Sequence, residues 1–357
     1  GQHSCAAPPA MRSNRRPSSL IRCAACLATA VASGLTFRRL AAAFATASAP
    51  LLRAGGVQLS FSSGAGAVCQ GMSAVPGVED FPGVRVAKDA AYADAVRAAW
   101  AQDADTTSRG PFSREQLVYE HQGLQLHGCL VRPKSGGNGA GVVVVHTAVG
   151  PRDLFLHWRA EALAALGYTA LVADMFGDAE GRGWEPAWNE AARRPLAEDR
   201  ELSRRRMQAA IQALAAAEGV DATRIGAIGF CFGGRAVLDL ARLGAEAGAR
   251  AVVSFHGILD DGGGLPAADM SGPSAPRVLI CHGDGDPFVS AEGRAACEAQ
   301  LRSSGARWDA LAFGGVRHGF TNPAQAHNEN PALGYDERAA RLSWEAMKML
   351  FAETLSR

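Results

Sequence analysis

The chain of 357 residues reads as an α/β protein with a mostly parallel central sheet and helices on both of its faces. Two observations predict that class. Apolar runs of strand length alternate with helix-length segments from about Phe112 onward, which implies crossover connections. Within them, Val142–Val145 is an unbroken β-branched run, the mark of a strand buried on both faces of a parallel sheet. The elements follow in order. Glu115–Pro133 reads as two short strands about a turn at Gln122-Gly123, and Val142–Val145 as the first buried strand. Leu156, Ala160, Leu163 and Leu166 fall at helical spacing, with Gly167 closing that helix at its C′ position. Tyr168–Ala173 is a further strand, and Leu196–Glu218 a helix with Met207, Ile211 and Leu214 on one face. Strands are expected at Ile225–Ile228, Ala251–Phe255, Val278–Cys281 and Asp309–Phe313, and a last helix at Glu337–Thr354.

With 48% apolar and 20% charged residues, the composition is that of an ordinary globular chain. A net charge of +1 argues against nucleic acid as the partner, because polyanion binding shows as a basic excess. That total hides an uneven distribution. The first acid is Glu79, whereas Arg12, Arg15, Arg16, Arg22, Arg38, Arg39 and Arg53 all precede it, so the stretch before Glu79 is cationic and the remainder mildly acidic. Ser-rich, Arg-rich and acid-poor is the composition of a mitochondrial or chloroplast transit peptide. Residues 1–78 are therefore expected to be a disordered presequence addressed to one of those organelles, the chain being cytoplasmic without it. A disordered tail with no address is the plainer alternative. A secretory signal fits less well, since the apolar run Cys26–Ala32 is far shorter than a membrane span and Arg38-Arg39 interrupt the sequence soon after. Met11 is the expected initiator, as the chain opens on Gly. Residues 79–111 read as a linker with a short helix, and 112–357 as the folded domain. The 8 Cys are scattered, as in a reducing compartment, and Cys23-x-x-Cys26 lacks a second ligand pair for zinc.

The most informative stretch is Ile225-Gly-Ala-Ile-Gly-Phe-Cys231-Phe-Gly-Gly-Arg235. A strand ending near Phe230 and a helix starting after Cys231 make a Gly-x-nucleophile-x-Gly elbow, in which a Cβ at residue 229 or 233 would crowd the turn. A small apolar Cys in a core strand is the commoner fate of a lone Cys, but glycine on both sides argues against it here. A helix N-terminus beneath the sulfur favours thiolate. Elbow enzymes place an acid and then a His later in the chain. His282-Gly-Asp284-Gly-Asp286-Pro-Phe-Val289 follows an apolar strand and offers Asp286, with Asp284 competing. Gly315-Val-Arg-His318-Gly-Phe320 follows the last strand and offers His318 as base, a surface His being the alternative.

Among the other histidines, His121, His127 and His157 read as structural or solvent-facing. His146, His256 and His282 each end a strand near the active face and could support the site from behind. None forms a metal-ligand spacing, and no dinucleotide fingerprint or P-loop is present, so no metal and no nucleotide cofactor are expected.

The Cys elbow, Asp286-Pro-Phe-Val and Arg317-His318-Gly-Phe, in this order, resemble the dienelactone hydrolase (carboxymethylenebutenolidase) family of the α/β-hydrolase fold. The likeness runs from about Glu115 to the C-terminus and includes Gly150, Gly167-Tyr168 and Ala173-Asp-Met-Phe-Gly177. It implies Cys231 as nucleophile, His318 as base, Asp286 as its orienting carboxylate, and an oxyanion hole from the N–H groups of Phe232 and of a residue at or near Ala148. The reaction so implied is cleavage of a small ester or lactone through a thioester. Two positions depart from the pattern. Thr147 stands where members with proven dienelactone chemistry carry Glu, and Asn322 where they carry a carboxylate-binding Arg; Arg152, Arg193 or Arg194 are the candidates to replace the latter. Other acyl transfer on the same triad, such as thioesterase work, and non-catalytic ligand binding are the competing functions. The final helix allows a monomer or a homodimer.

Overall fold

The computed structural model describes residues 85–103, 112–134 and 136–356, besides Gly1. The presequence expected over residues 1–78 lies outside the described residues. The described elements from residue 85 onward all belong to one unit, Gly71–Arg357.

The first two strands, β1 (Phe112–His121) and β2 (Leu124–Pro133), form an antiparallel hairpin. Its turn has positive φ at both Gln122 (53°) and Gly123 (80°), which the right-handed twist of a hairpin demands. Then come β3 (Gly141–Val145), β4 (Thr169–Ala173), β5 (Ile225–Phe230), β6 (Ala251–Phe255), β7 (Arg277–Gly283) and β8 (Trp308–Phe313). The eight strands line up as β1-β2-β4-β3-β5-β6-β7-β8. Beyond the antiparallel β2–β4 pairing every neighbour is parallel.

Both sheet faces are covered, and β3 shows how. Val142 and Val144 join one apolar cluster, Val143 and Val145 the other, since side chains alternate along a strand. On the first face pack α1 (Ala90–Gln102), α2 (Leu154–Ala165) and α7 (Glu337–Thr354). On the second pack α3 (Pro186–Glu198), α4 (Arg200–Ala215), α5 (Phe232–Ala241) and α6 (Ala291–Ser303). Gly167 follows α2 at φ 95°, the left-handed stop its position predicts.

One expected helix is two. The segment Leu196–Glu218 breaks at Asp199, whose extended backbone and carboxylate, accepting from the Leu202 N–H, cap α4; Leu196 belongs to α3. The short helix within the stretch read as a linker is α1. Its Val96 and Trp100 are buried in the core, and Asp103 just after it accepts from the Trp158 indole at 2.7 Å. Emptying a buried Trp site of this kind costs about 3–5 kcal/mol, so α1 is held to the sheet face as a core element is.

Candidate active site

β5 delivers Cys231 at the carboxyl edge of the sheet, one residue before α5 begins. Its backbone sits at φ 57° and ψ −112°, a region that costs a non-glycine residue on the order of 1–3 kcal/mol and is kept only where the surroundings enforce it. They do so here. The Cys231 N–H donates to Phe255 O at 3.0 Å and the Gly233 N–H to His146 O at 3.0 Å, tying the turn to β6 and to the end of β3. A Cβ on Gly229 would strike Gly233, one on Gly233 would strike the Val145 carbonyl, and one on Gly234 would lie 2.7 Å from the Gly257 Cα. The glycines that flagged the elbow in the sequence are thus required by contact.

The loops after β7 and β8 bring the partners. They are laced together by backbone: the Asp284 N–H donates to Phe313 O at 2.9 Å and the Gly285 N–H to Val316 O at 3.0 Å. This fixes Asp286, 3% exposed, against His318, 4% exposed, with His318 Nδ1 2.6 Å from Asp286 Oδ2. The other carboxylate oxygen accepts from the Phe288 N–H at 2.9 Å. Asp284 is exposed, whereas Asp286 is the acid that hydrogen-bonds His318. His318 lies near enough to the Cys231 thiol to favour its anion through its charge and hydrogen-bonding capacity, and the backbone N–H groups of Phe232 and Ala148 act on the sulfur in the same direction.

The electrostatics follow from this geometry. Burial alone would push the Cys231 thiol up; the charge of His318, the hydrogen bond to it and the two backbone donors together outweigh burial and hold the thiol below its ordinary value. Burial likewise works against the His318 imidazolium, but the Cys231 charge and the Asp286 hydrogen bond retain its proton and raise it to about 10. Cys231 and His318 therefore each favour the charged form of the other. Chemically, such a pair supplies a nucleophile, a proton donor and two aligned N–H groups at one point. These groups open into a cleft of 510 Å³.

A model of the dienelactone hydrolase family matches residues 126–355. The chain belongs to that family. It is a hydrolase acting on ester or lactone bonds, and the sheet with helices on both faces is the α/β-hydrolase architecture expected of it. A solved dienelactone hydrolase-like promiscuous phosphotriesterase from metagenomic libraries is 36% identical, with a TM-score of 0.63, covering 69% of this chain and 100% of its own. An uncharacterized protein of Caenorhabditis elegans is 36% identical over 141 residues, 40% of this chain and 87% of that protein. A probable 2-oxo-3-(5-oxofuran-2-ylidene)propanoate lactonase of Bradyrhizobium sp. is 26% identical over 224 residues, 60% of this chain and 84% of that one.

Against the family pattern, the two departures land differently. Thr147 lines the cleft, its hydroxyl accepting weakly from the Val149 N–H at 3.4 Å. Asn322 also lines it, but its amide is turned to the wall: Nδ2 donates to the Tyr92 hydroxyl at 2.7 Å and Oδ1 accepts from the Ala324 N–H at 3.0 Å. Arg152 is not brought to the cleft; it is 3% exposed with Nε on Asp178 O at 3.2 Å. Arg193 lines the cleft and Arg194 does not. Of the strand-end histidines, His256 joins the cleft wall and its ring meets that of His318 edge-on at 5.2 Å, while His146 accepts from the Met175 N–H at 3.1 Å. His282 stays out of the cleft. Among the described residues no group of three or more His, Cys, Asp or Glu is placed to hold a metal ion, and no helix is long and apolar enough to cross a membrane.

Among the cleft residues to which the sequence pattern assigns no role are Tyr92, Asp153, Trp184 and Arg235. Arg235 follows Cys231 by about one helical turn, so its position on α5 was a usable signal. Tyr92 and Asp153 carried none, because their pairing joins distant segments.

Proposed function

We propose that the chain cleaves a small ester or lactone with Cys231 as nucleophile, through a thioester on that sulfur. The observation that carries this reading is Cys231 on the strained elbow between β5 and α5, beside a His318 hydrogen-bonded to Asp286, with His318 and the N–H groups of Phe232 and Ala148 favouring its anion. In the first half-reaction Sγ bonds to the carbonyl carbon and the carbonyl π pair moves onto oxygen. The two N–H groups pass from sulfur to that oxyanion, each worth roughly 3–4 kcal/mol of barrier. The C–O bond then breaks, and the departing oxygen takes the proton from His318. In the second half-reaction His318 removes a proton from water as the water oxygen attacks the thioester. Collapse releases the carboxylic acid and returns the thiolate. Asp286 keeps the imidazole in the required tautomer and offsets its charge throughout.

The test is mass spectrometry of the intact protein during incubation with a panel of neutral esters and lactones. An acyl adduct mapping to Cys231, and absent from Cys231→Ala, is the expected result. Turnover with the adduct on another residue would overturn the assignment. A second reading has its own support. The phosphotriesterase relative is matched along its whole length, and a neutral phosphotriester presents a phosphoryl oxygen to the same two N–H donors. A p-nitrophenyl dialkyl phosphate in the panel decides it.

A further inference from the structure

The segment just before the family match supplies part of the cleft wall. The match begins at residue 126, yet Lys88 and Tyr92 line the cleft, Tyr92 from the first turn of α1. The placement is built rather than incidental. The Tyr92 hydroxyl donates to the Asp153 carboxylate, whose oxygens lie at 2.9 and 2.8 Å, and accepts from Asn322 Nδ2 at 2.7 Å. Its ring meets Trp184 edge-on at 5.1 Å between centroids. Asp153, Trp184 and Asn322 all line the cleft themselves, so one tyrosine ties together three wall residues from three different segments. Behind it, Val96 and Trp100 anchor α1 in the core, and the Leu154 N–H donates to Val86 O at 2.8 Å, stitching the chain ahead of α1 to the start of α2.

We propose that Tyr92 is a specificity-determining residue: with Trp184 it walls one side of the substrate cleft, so that the enzyme prefers compact esters to long-chain ones. A rigid aromatic wall discriminates by size because each methylene that fails to fit must displace packed atoms. The inference rests on the cleft being the substrate site of the hydrolase proposed above.

The experiment compares full-length wild type, Tyr92→Ala, Tyr92→Phe and Trp184→Ala on p-nitrophenyl acetate and p-nitrophenyl octanoate. Tyr92→Ala is expected to raise the octanoate-to-acetate ratio of kcat/KM by roughly tenfold or more, the effect of relieving a hydrophobic size limit. Trp184→Ala shifts it in the same direction, and Tyr92→Phe, which keeps the ring, leaves it near wild type. A destabilised but otherwise unaltered site would lower both esters alike. A second readout needs no turnover: protection of Cys231 from iodoacetamide by 2-butanone and by 2-nonanone. Wild type is protected by the short ketone, and Tyr92→Ala gains protection by the long one. If no ester is hydrolysed, the catalytic reading fails and the ketone series alone judges the wall. An unchanged ester ratio, or an unchanged ketone preference, in both folded alanine variants overturns the proposal.

Discussion

The two ends of α5, a helix of 10 residues, both carry polar groups, and the fold treats them in opposite ways. At the N-terminal end Cys231 holds a strained backbone, and its sulfur faces an open cleft while three donors favour its anion. At the C-terminal end Asp239 is 0% exposed and held by three donors. It accepts from Arg200 Nε at 3.0 Å and Nη2 at 2.5 Å, and from Arg242 Nη1 at 2.8 Å. Those arginines are themselves used up: Arg200 on Asp260 at 2.7 Å, Arg242 on the Asp260 carbonyl at 2.9 Å and on Gln300 at 2.6 Å. A buried charge held by three donors from two arginines has only structure to offer. A charge stabilised by donors that can be handed to a substrate has chemistry to offer. Reactivity here comes from where satisfaction is left transferable, and burial alone does not decide it.

Deleting the group at the reactive end has the largest expected effect. Cys231→Ala should lower turnover of a chromogenic ester by about 10⁴-fold or more, since nucleophile, base and acid act as one unit. Its urea unfolding midpoint should hold or rise, because the substitution removes only a sulfur from a half-buried site. Activity that survived would mean that the reactive end lies elsewhere.

The next largest effect belongs to the other end and should appear in the other observable. Asp239→Ala leaves Arg200 and Arg242 buried without their shared carboxylate, and breaking such a pair costs about 3–5 kcal/mol. Urea unfolding should show that loss, while the alkylation rate of Cys231 in the folded protein stays at the wild-type value. A slowed Cys231 would show the two ends to be coupled through the helix.

How far each end was legible in the sequence follows from the range of its interactions. The elbow was readable because its sterics are local: Gly229, Gly233 and Gly234 are needed within a few residues of the sulfur they position. His318 and Asp286 were readable because each stands among glycines after an apolar strand, where a packing role is hard to give it. The Asp239 cluster was invisible, as its members come from α4, α5 and the loop after β6, and nothing in a charged helix marks which charges face inward. Arg152 went astray for the same reason; its guanidinium is occupied by a carbonyl of another loop. Tyr92, Asp153 and Asn322 meet only once the sheet has formed. The break at Asp199 was hidden because Asp is tolerated mid-helix on the surface and becomes a stop only when its carboxylate caps the next turn.

The smallest effect, and the finest test, sets Cys231 beside the other cysteines of the described residues. Burial raises Cys129 to about 11 and pushes Cys281 and Cys297 up as well, with no donor that outweighs it. Cys231 moves the other way because His318 and two N–H groups reward its anion. The sign of the consequence is fixed. A thiol held below its ordinary value stays thiolate to lower pH, so the iodoacetamide rate at Cys231 should keep its plateau below the ~8.5 at which a free thiol titrates. Cys129, Cys281 and Cys297 should remain unlabelled across the same range. Ester turnover should share that acid limb and fall again as pH climbs through about 10, where His318 gives up the proton that the leaving group needs. Replacing His318 with Gln removes the opposing charge, and burial should then carry the Cys231 inflection upward, past that of a free thiol. Peptide mapping of alkylated Cys231 against pH reads all of this directly. An inflection in wild type at or above the free-thiol value would mean that the donors around the sulfur do not outweigh its burial, and the contrast between the ends of α5 would then be one of exposure only.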